Sequence, residues 1–205
     1  SAVTVDIGVT ADAAVATDAL CEALSGRSLR SATTGWLEEL RAEALRNQAS
    51  LKDQLDSNSI PINPHRLWRD VRDSLDRDAT VVVDGEVTLG VGRTVMPSYY
   101  PRHRLNPGTT SCIGVGVPFA VAAKIARPNK QVIAVLGDYA FGTSFTEIET
   151  AARIGANVVF VVNNNSGISG HLSQRRRFRP DDPMVYALLP ARYEKMAEMV
   201  GGYGE

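Results

Sequence analysis

Two apolar runs of strand length, Val132 to Leu136 and Val158 to Val162, end respectively in Gly137-Asp138 and in an Asn-rich turn that reaches Asn165. A parallel α/β sheet places its ligand crevice beyond the carboxyl ends of its strands. Asp138 and Asn165 therefore emerge side by side on neighbouring strand ends. A carboxylate with amide and backbone carbonyl oxygens, completed by phosphate oxygens and water, suits Mg²⁺. Thr143 and Ser144 are expected to open the intervening helix, with free N–H groups facing a phosphate. One site is thus expected to hold a divalent cation and a diphosphate, although a Gly-Asp turn after a strand also occurs in α/β proteins that bind neither.

Around these runs the pattern alternates: helix Arg66 to Leu75, strand Thr80 to Val83, helix Cys112 to Ala126, strand Val132 to Leu136, helix Ser144 to Ile154, strand Val158 to Val162. Alternation of this kind predicts a parallel sheet flanked by helices. Gly155 suits a helix C-terminus. Pro107-Gly108 forces a turn, and the small residues from Thr109 to Gly116 let the backbone approach a flat ring.

The 27-position interval from Asp138 to Asn165 resembles the Gly-Asp-Gly and Asn-Asn motif of thiamine-diphosphate enzymes. The resemblance implies that Asp138, Asn165 and the Gly167 carbonyl coordinate Mg²⁺. It also places Gly137, Tyr139 and Ala140 against the diphosphate, with Tyr139 standing where the motif has its second glycine. Ile168 falls beside the cofactor, and with Ser169 it is a candidate for the substrate wall.

The segment from Asp84 to Ala126 is similar to the corresponding region of 2-hydroxyacyl-CoA lyases and, less closely, oxalyl-CoA decarboxylases. The carrying residues are Gly92-Arg93-Thr94-Val95, Pro101-Arg102-His103-Arg104-Leu105 and Gly108-Thr109. By this resemblance Gly108 and Thr109 flank the cofactor, the Ser111 carbonyl accepts a hydrogen bond from its aminopyrimidine, and Ile113 is the apolar wedge that bends it. Without the flanking motif, Ile113 reads as a core helix residue. Lyases usually carry Gly-Ala-Asn-Thr where this chain has Gly85-Glu86-Val87-Thr88. Glu86 is accordingly expected either at a strand end facing the cofactor, with a raised pKa suited to acid–base work, or as a solvated loop carboxylate. Arg93, Arg102, Arg104 and the run 174–179 are candidates for CoA phosphates, the run reading more readily as a solvated loop. His103 is expected in the site or in structural hydrogen bonds, while His65 and His171 carry no signal.

A chain of 205 residues, 44% hydrophobic, fills one domain and part of another. The expected division is residues 1–57 as the C-terminal part of a middle α/β domain, 58–64 as a linker, and 65–205 as the diphosphate-binding domain, truncated at its C-terminus. Val3, Val5 and Ile7 alternate as in a strand, and Trp36, Leu37, Leu40, Ala44 and Leu45 suggest an amphipathic helix. A formal charge of −1 gives no reason to expect nucleic acid, and no apolar run approaches the roughly 20 residues of a membrane span. Cys21 and Cys112 are too few for a disulfide framework and point to a reducing, cytoplasmic setting, with Cys112 expected as a small buried thiol.

The expected function is the cofactor half of a 2-hydroxyacyl-CoA lyase acting on an acyl-CoA. Such a half-site needs a separate pyrimidine-binding domain or chain, which supplies the main catalytic glutamate, in a homodimer or tetramer. Oxalyl-CoA decarboxylase, an acetolactate synthase-like carboligase and a non-catalytic cofactor-binding regulatory subunit are the alternatives.

Overall fold

The computed structural model describes residues 4–27, 30–168 and 187–205, which fall into two compact units, Ser1–Ser50 and Leu51–Glu205. The first unit contains α1 (Ala13–Leu24) and α2 (Arg30–Ser50). Asp12 caps α1, its carboxylate accepting the N–H groups of Ala14 and Val15. Val5 and Ile7 lie in exposed irregular backbone instead of the expected strand. Alternation alone does not make a strand without a neighbour to pair with. Trp36, Leu37, Leu40 and Leu45 do lie on one helix, α2, and are exposed.

The second unit carries α3 (Lys52–Leu55), α4 (Pro64–Asp73), β1 (Thr80–Asp84), α5 (Glu86–Val95), β2 (Arg104–Leu105), α6 (Gly116–Ala126), β3 (Val132–Gly137), α7 (Asp138–Gly142), α8 (Glu147–Arg153), β4 (Val159–Asn163) and α9 (Tyr193–Met199). All four strands are parallel, in the order β2-β1-β3-β4. The chain leaves β1 toward one edge and returns past it to β3. That reversal makes the carboxyl ends of β1 and β3 the topological switch point, the place where open α/β sheets bind ligands. Asp84 pairs in register with Leu136, and Gly137 with Asn163.

Alternate residues of β1 and β3 feed two cores, as the two-residue strand period requires. Val82, Ala134 and Leu136 pack with Val117 and Ala120 of α6, Phe141 and Ile148. Val81, Val83, Ile133 and Val135 pack with Trp68 and Val71 of α4 and Val95 of α5. Each Val, Leu, Ile or Phe among them contributes about 1.5–3 kcal/mol when fully buried. Trp68, in addition, donates its indole N–H to the Thr88 carbonyl at 3.1 Å, joining α4 to α5.

Residues 51–64, which include the expected linker, group with the second unit, and Arg66 donates to the Ser57 carbonyl at 3.0 Å and to Asn58 Oδ1 at 2.8 Å. Three expectations change at the level of elements. The helix expected from Cys112 begins only at Gly116, because Ser111 (φ 51°) and Gly114 (φ 97°) take left-handed conformations that interrupt it. The helix expected from Ser144 begins at Glu147, after the separate short helix α7. Glu86 opens α5, a helix absent from the sequence reading. Among the described residues no helix is long and apolar enough to cross a membrane.

Candidate cofactor site

The Asp138 carboxylate follows the end of β3 and is only 2% exposed. Burying a charge is costly unless its oxygens are bonded. Here Oδ1 accepts the Tyr139 N–H at 2.7 Å, and Oδ2 accepts the Gly167 N–H at 3.0 Å. Asn165 Oδ1 accepts that same Gly167 N–H at 3.2 Å. The two oxygen-bearing side chains are therefore drawn together on one backbone group. Burial, and secondarily the Asp138 charge, raise the Tyr193 phenol above its ordinary pKa.

This donor set fits a hard divalent cation. A carboxylate oxygen can serve two acceptor directions, so each Asp138 oxygen retains capacity beyond its N–H bond. Among the described residues no group of three His, Cys, Asp or Glu side chains converges. The cluster instead combines one carboxylate with an amide oxygen, the kind of partial set that Mg²⁺ completes with phosphate oxygens and water.

Across the switch point, Asp84 ends β1 and is fully buried. Its Oδ1 accepts the Gly85 N–H at 2.8 Å, while Oδ2 accepts the N–H groups of Gly114 and Gly116 at 2.8 and 2.9 Å. These are charge-assisted bonds. They tie the loop before α6 to the sheet on either side of Val115, with Ile113 immediately before. The fit leaves no room for a side chain at Gly116, where a Cβ would sit 2.3 Å from Leu136 Cδ2. Ile113 is left 41% exposed and lines the cleft, outside any helix.

The cleft, about 120 Å³, brings together most of the residues expected in it: Glu86, Ile113, Gly137, Asp138, Tyr139, Ala140, Asn165, Gly167 and Ile168. Glu86 is the exposed first residue of α5, which differs from both the strand end and the loop anticipated for it. Gly108 and Thr109 form a 3₁₀ turn and Ser111 follows it, all exposed and outside the cleft lining. Thr143 and Ser144 do not open a helix. Their N–H groups bond the carbonyls of Tyr139 and Phe141, so they are not free for a phosphate. Cys112 is exposed, not buried. Arg93 lies exposed on the last turn of α5. Arg104 lines a different cavity, as does His103. Burial lowers the pKa of His65 at the start of α4. Ser169, His171 and the run 174–179 lie outside the described residues.

Val87 and Thr88, noted in the sequence only as part of the departure around Glu86, line this cleft with Asn163, and Asp84 braces it; neither Asp84 nor Asn163 stood out as a site residue. The available signal was that β1 ends in Asp84-Gly85 much as β3 ends in Gly137-Asp138. Size does not identify the site: a groove of about 630 Å³ runs beside β4 and α9 without Asp138 or Asn165.

Comparison with known proteins bears on the family and the fold. The chain is 35% identical over 181 residues to 2-hydroxyacyl-CoA lyase 1 of Homo sapiens, covering 82% of this chain and 31% of the relative. It is 39% identical over 178 residues to 2-hydroxyacyl-CoA lyase of Oryza sativa, with the same coverages. A probable acetolactate synthase of Mycobacterium bovis is 37% identical over 173 residues, covering 83% and 31%. The chain thus spans about a third of the length of these relatives. A thiamine diphosphate-dependent 4-hydroxybenzoylformate decarboxylase from Rhodococcus jostii shares the fold, with a TM-score of 0.61 at 24% identity over 68% of this chain and 26% of that one. Residues 85–205 match the family described as thiamine pyrophosphate enzyme, C-terminal TPP binding domain, and the chain belongs to the thiamine pyrophosphate-dependent enzymes.

Proposed function

We propose that this chain is the cofactor-binding part of a thiamine diphosphate-dependent 2-hydroxyacyl-CoA lyase, which cleaves a 2-hydroxyacyl-CoA to formyl-CoA and an aldehyde or ketone. The observation that carries the reading is one cleft holding both the Asp138–Gly167–Asn165 oxygen cluster and the exposed Ile113. The similarity to lyases narrows the reaction. Asp138, Asn165 and the Gly167 carbonyl hold Mg²⁺. Gly137, Tyr139 and Ala140 would approach the diphosphate and Ile113 would support the cofactor from the cleft wall, while the Ser111 carbonyl, on the turn begun by Gly108 and Thr109 outside the cleft lining, would be available to its aminopyrimidine.

When bound, the cofactor supplies an electron sink for cleavage beside a carbonyl. In the overall reaction the bond between the thioester carbon and the hydroxyl-bearing carbon breaks. The hydroxyl proton leaves as the new carbonyl forms, and a proton is added to the carbon that becomes formyl. Glu86, at the lip of the cleft, is positioned to hold or move one of these protons, or to select the substrate. Arg93, on the last turn of α5 and close enough for its charge to act on Arg104, would meet only a part of the substrate remote from the cleft. A pyrimidine-binding domain and assembly into a dimer or tetramer complete the site, with the enzyme working in the cytoplasm.

The similarity to an acetolactate synthase favours a second reading, carboligation of 2-oxo acids. Product analysis with the full-length protein, thiamine diphosphate and Mg²⁺ separates the two. Formyl-CoA from a 2-hydroxyacyl-CoA is the expected result. Acetolactate from pyruvate, with no formyl-CoA, would replace the lyase reading. CO₂ released from oxalyl-CoA would instead identify a decarboxylase.

A further inference from the structure

A second cavity, of about 140 Å³, lies toward the amino ends of the strands, where the end of α5 meets β2 and the segment after α4. Its walls include Arg72, Arg77, Arg104, His103, Ser98 and Asp76. Arg104 opens β2 opposite Val81. Its Nη1 donates to the Met96 carbonyl at 3.1 Å, but its Nη2 is buried with no hydrogen-bond partner among the described residues. His103 Nδ1 is buried in the same condition. Arg77 stacks over the Tyr99 ring at 4.2 Å, which holds a second guanidinium at the cavity wall. Arg72 is engaged by Asp73 at 2.8 Å.

Buried polar groups are normally bonded, and each orphan requires a cause. Burial, with the nearby Arg93 charge, lowers the Arg104 pKa, so its charged form lacks compensation where it stands. An anion would supply it. Three guanidinium groups face one carboxylate, Asp76, so the balance at the walls is positive. Planar forks bind carboxylate and phosphate oxygens alike in two-point fashion, but a phosphate carries more charge and a further oxygen for a third donor such as His103. The site is also separate from the cofactor cleft. Glu86 touches the cleft and Met96, just past the last turn of the same helix, lines this cavity. At about 1.5 Å rise per residue the interval is roughly 15 Å.

We propose that this cavity is a phosphate-binding site in which Arg104 Nη2 and the Arg77 guanidinium hold the anion and His103 Nδ1 completes its hydrogen bonding. The phosphate is either free or the charged end of an extended substrate whose reacting end lies in the cleft. The second source rests on the acyl-CoA reading above. The first does not.

The test uses the full-length protein, titrated calorimetrically with inorganic phosphate and with adenosine 3′,5′-bisphosphate at fixed ionic strength, for the wild type, Arg104→Gln and Arg77→Gln. Thiamine diphosphate affinity serves as the control. Saturable phosphate binding, weakened about tenfold or more in both variants with cofactor affinity unchanged, is expected. Bisphosphate binding much tighter than inorganic phosphate identifies a substrate end. Equal affinities identify a free-phosphate site. No saturable binding, or binding that both variants retain in full, overturns the proposal. If Arg104→Gln does not fold, Arg77→Gln decides, because its side chain lies on the wall and not in the sheet. Formyl-CoA production assayed on the same preparations shows separately whether the lyase reading stands.

Discussion

Asp84 Oδ2 accepts the N–H of Gly116 at 2.9 Å across 32 positions of sequence, and the N–H of Gly114 at 2.8 Å, so one buried carboxylate oxygen anchors the loop that presents Ile113. Asp84→Ala is expected to lower stability by about 3 kcal/mol, since a hydrogen bond to a charged group contributes about 1.5–3. Asp84→Asn keeps one acceptor oxygen and loses less. Urea denaturation of the full-length protein measures both, and a midpoint unchanged in Asp84→Ala contradicts the anchoring role.

Asp138→Ala is expected to weaken Mg²⁺-dependent cofactor binding by at least the roughly 10–100-fold typical of losing a supporting partner of a metal site. Addition of a chelator to the wild type is expected to mimic the variant. Calorimetric titration with thiamine diphosphate at several Mg²⁺ concentrations reads this directly. Cofactor affinity independent of Mg²⁺ in the wild type would remove Asp138 from the metal assignment.

Glu86 lines the cleft from an exposed position, so Glu86→Ala is expected to leave the unfolding free energy within about 0.5 kcal/mol of the wild type. Turnover or substrate preference is expected to change about tenfold or more, within the usual reach of general acid–base catalysis. Steady-state kinetics on two 2-hydroxyacyl-CoA substrates separates the roles: a kcat change shared by both indicates proton handling, and a change confined to one indicates selection. Unchanged kinetics on both assigns Glu86 to the solvated surface.

His65 has a pKa lowered from 6.5 by burial. The unfolded chain therefore binds the proton more tightly, and stability must fall as the solution is acidified. Its contribution is complete above the unfolded pKa, near 6.5, and declines as pH drops through the lower folded value. Denaturation midpoints measured across that interval should show a slope that is reduced in His65→Gln. An identical slope in the variant assigns the pH response to other groups.

The strands were legible because Val132 to Leu136 and Val158 to Val162 are short, apolar and bounded by turn residues. The cluster at Asp138 was legible because it lies at the end of one of them. Helix α5 was not. Val87, Thr88, Gly90, Val91 and Gly92 have weak helix propensity, and only packing against Trp68 and the sheet compensates. Arg104 shows a different limit. Its place in a family-like segment connects it with the chemistry, yet it occupies the first residue of a two-residue strand, and a linear sequence does not say which end of the sheet a side chain serves. The N-terminal alternation at Val5 and Ile7 shows that period alone does not supply a partner strand.

The register of β1 with β3 and of β3 with β4 is set by backbone ladders, and the positions of Asp84, Asp138 and Asn163 follow from it. A slip of one residue in β3 would displace Asp138 by about 3.3 Å along the strand and exchange its faces. The cluster is therefore organised by folding before any ligand arrives. Selection on this site therefore extends to the apolar residues that keep the strands in step.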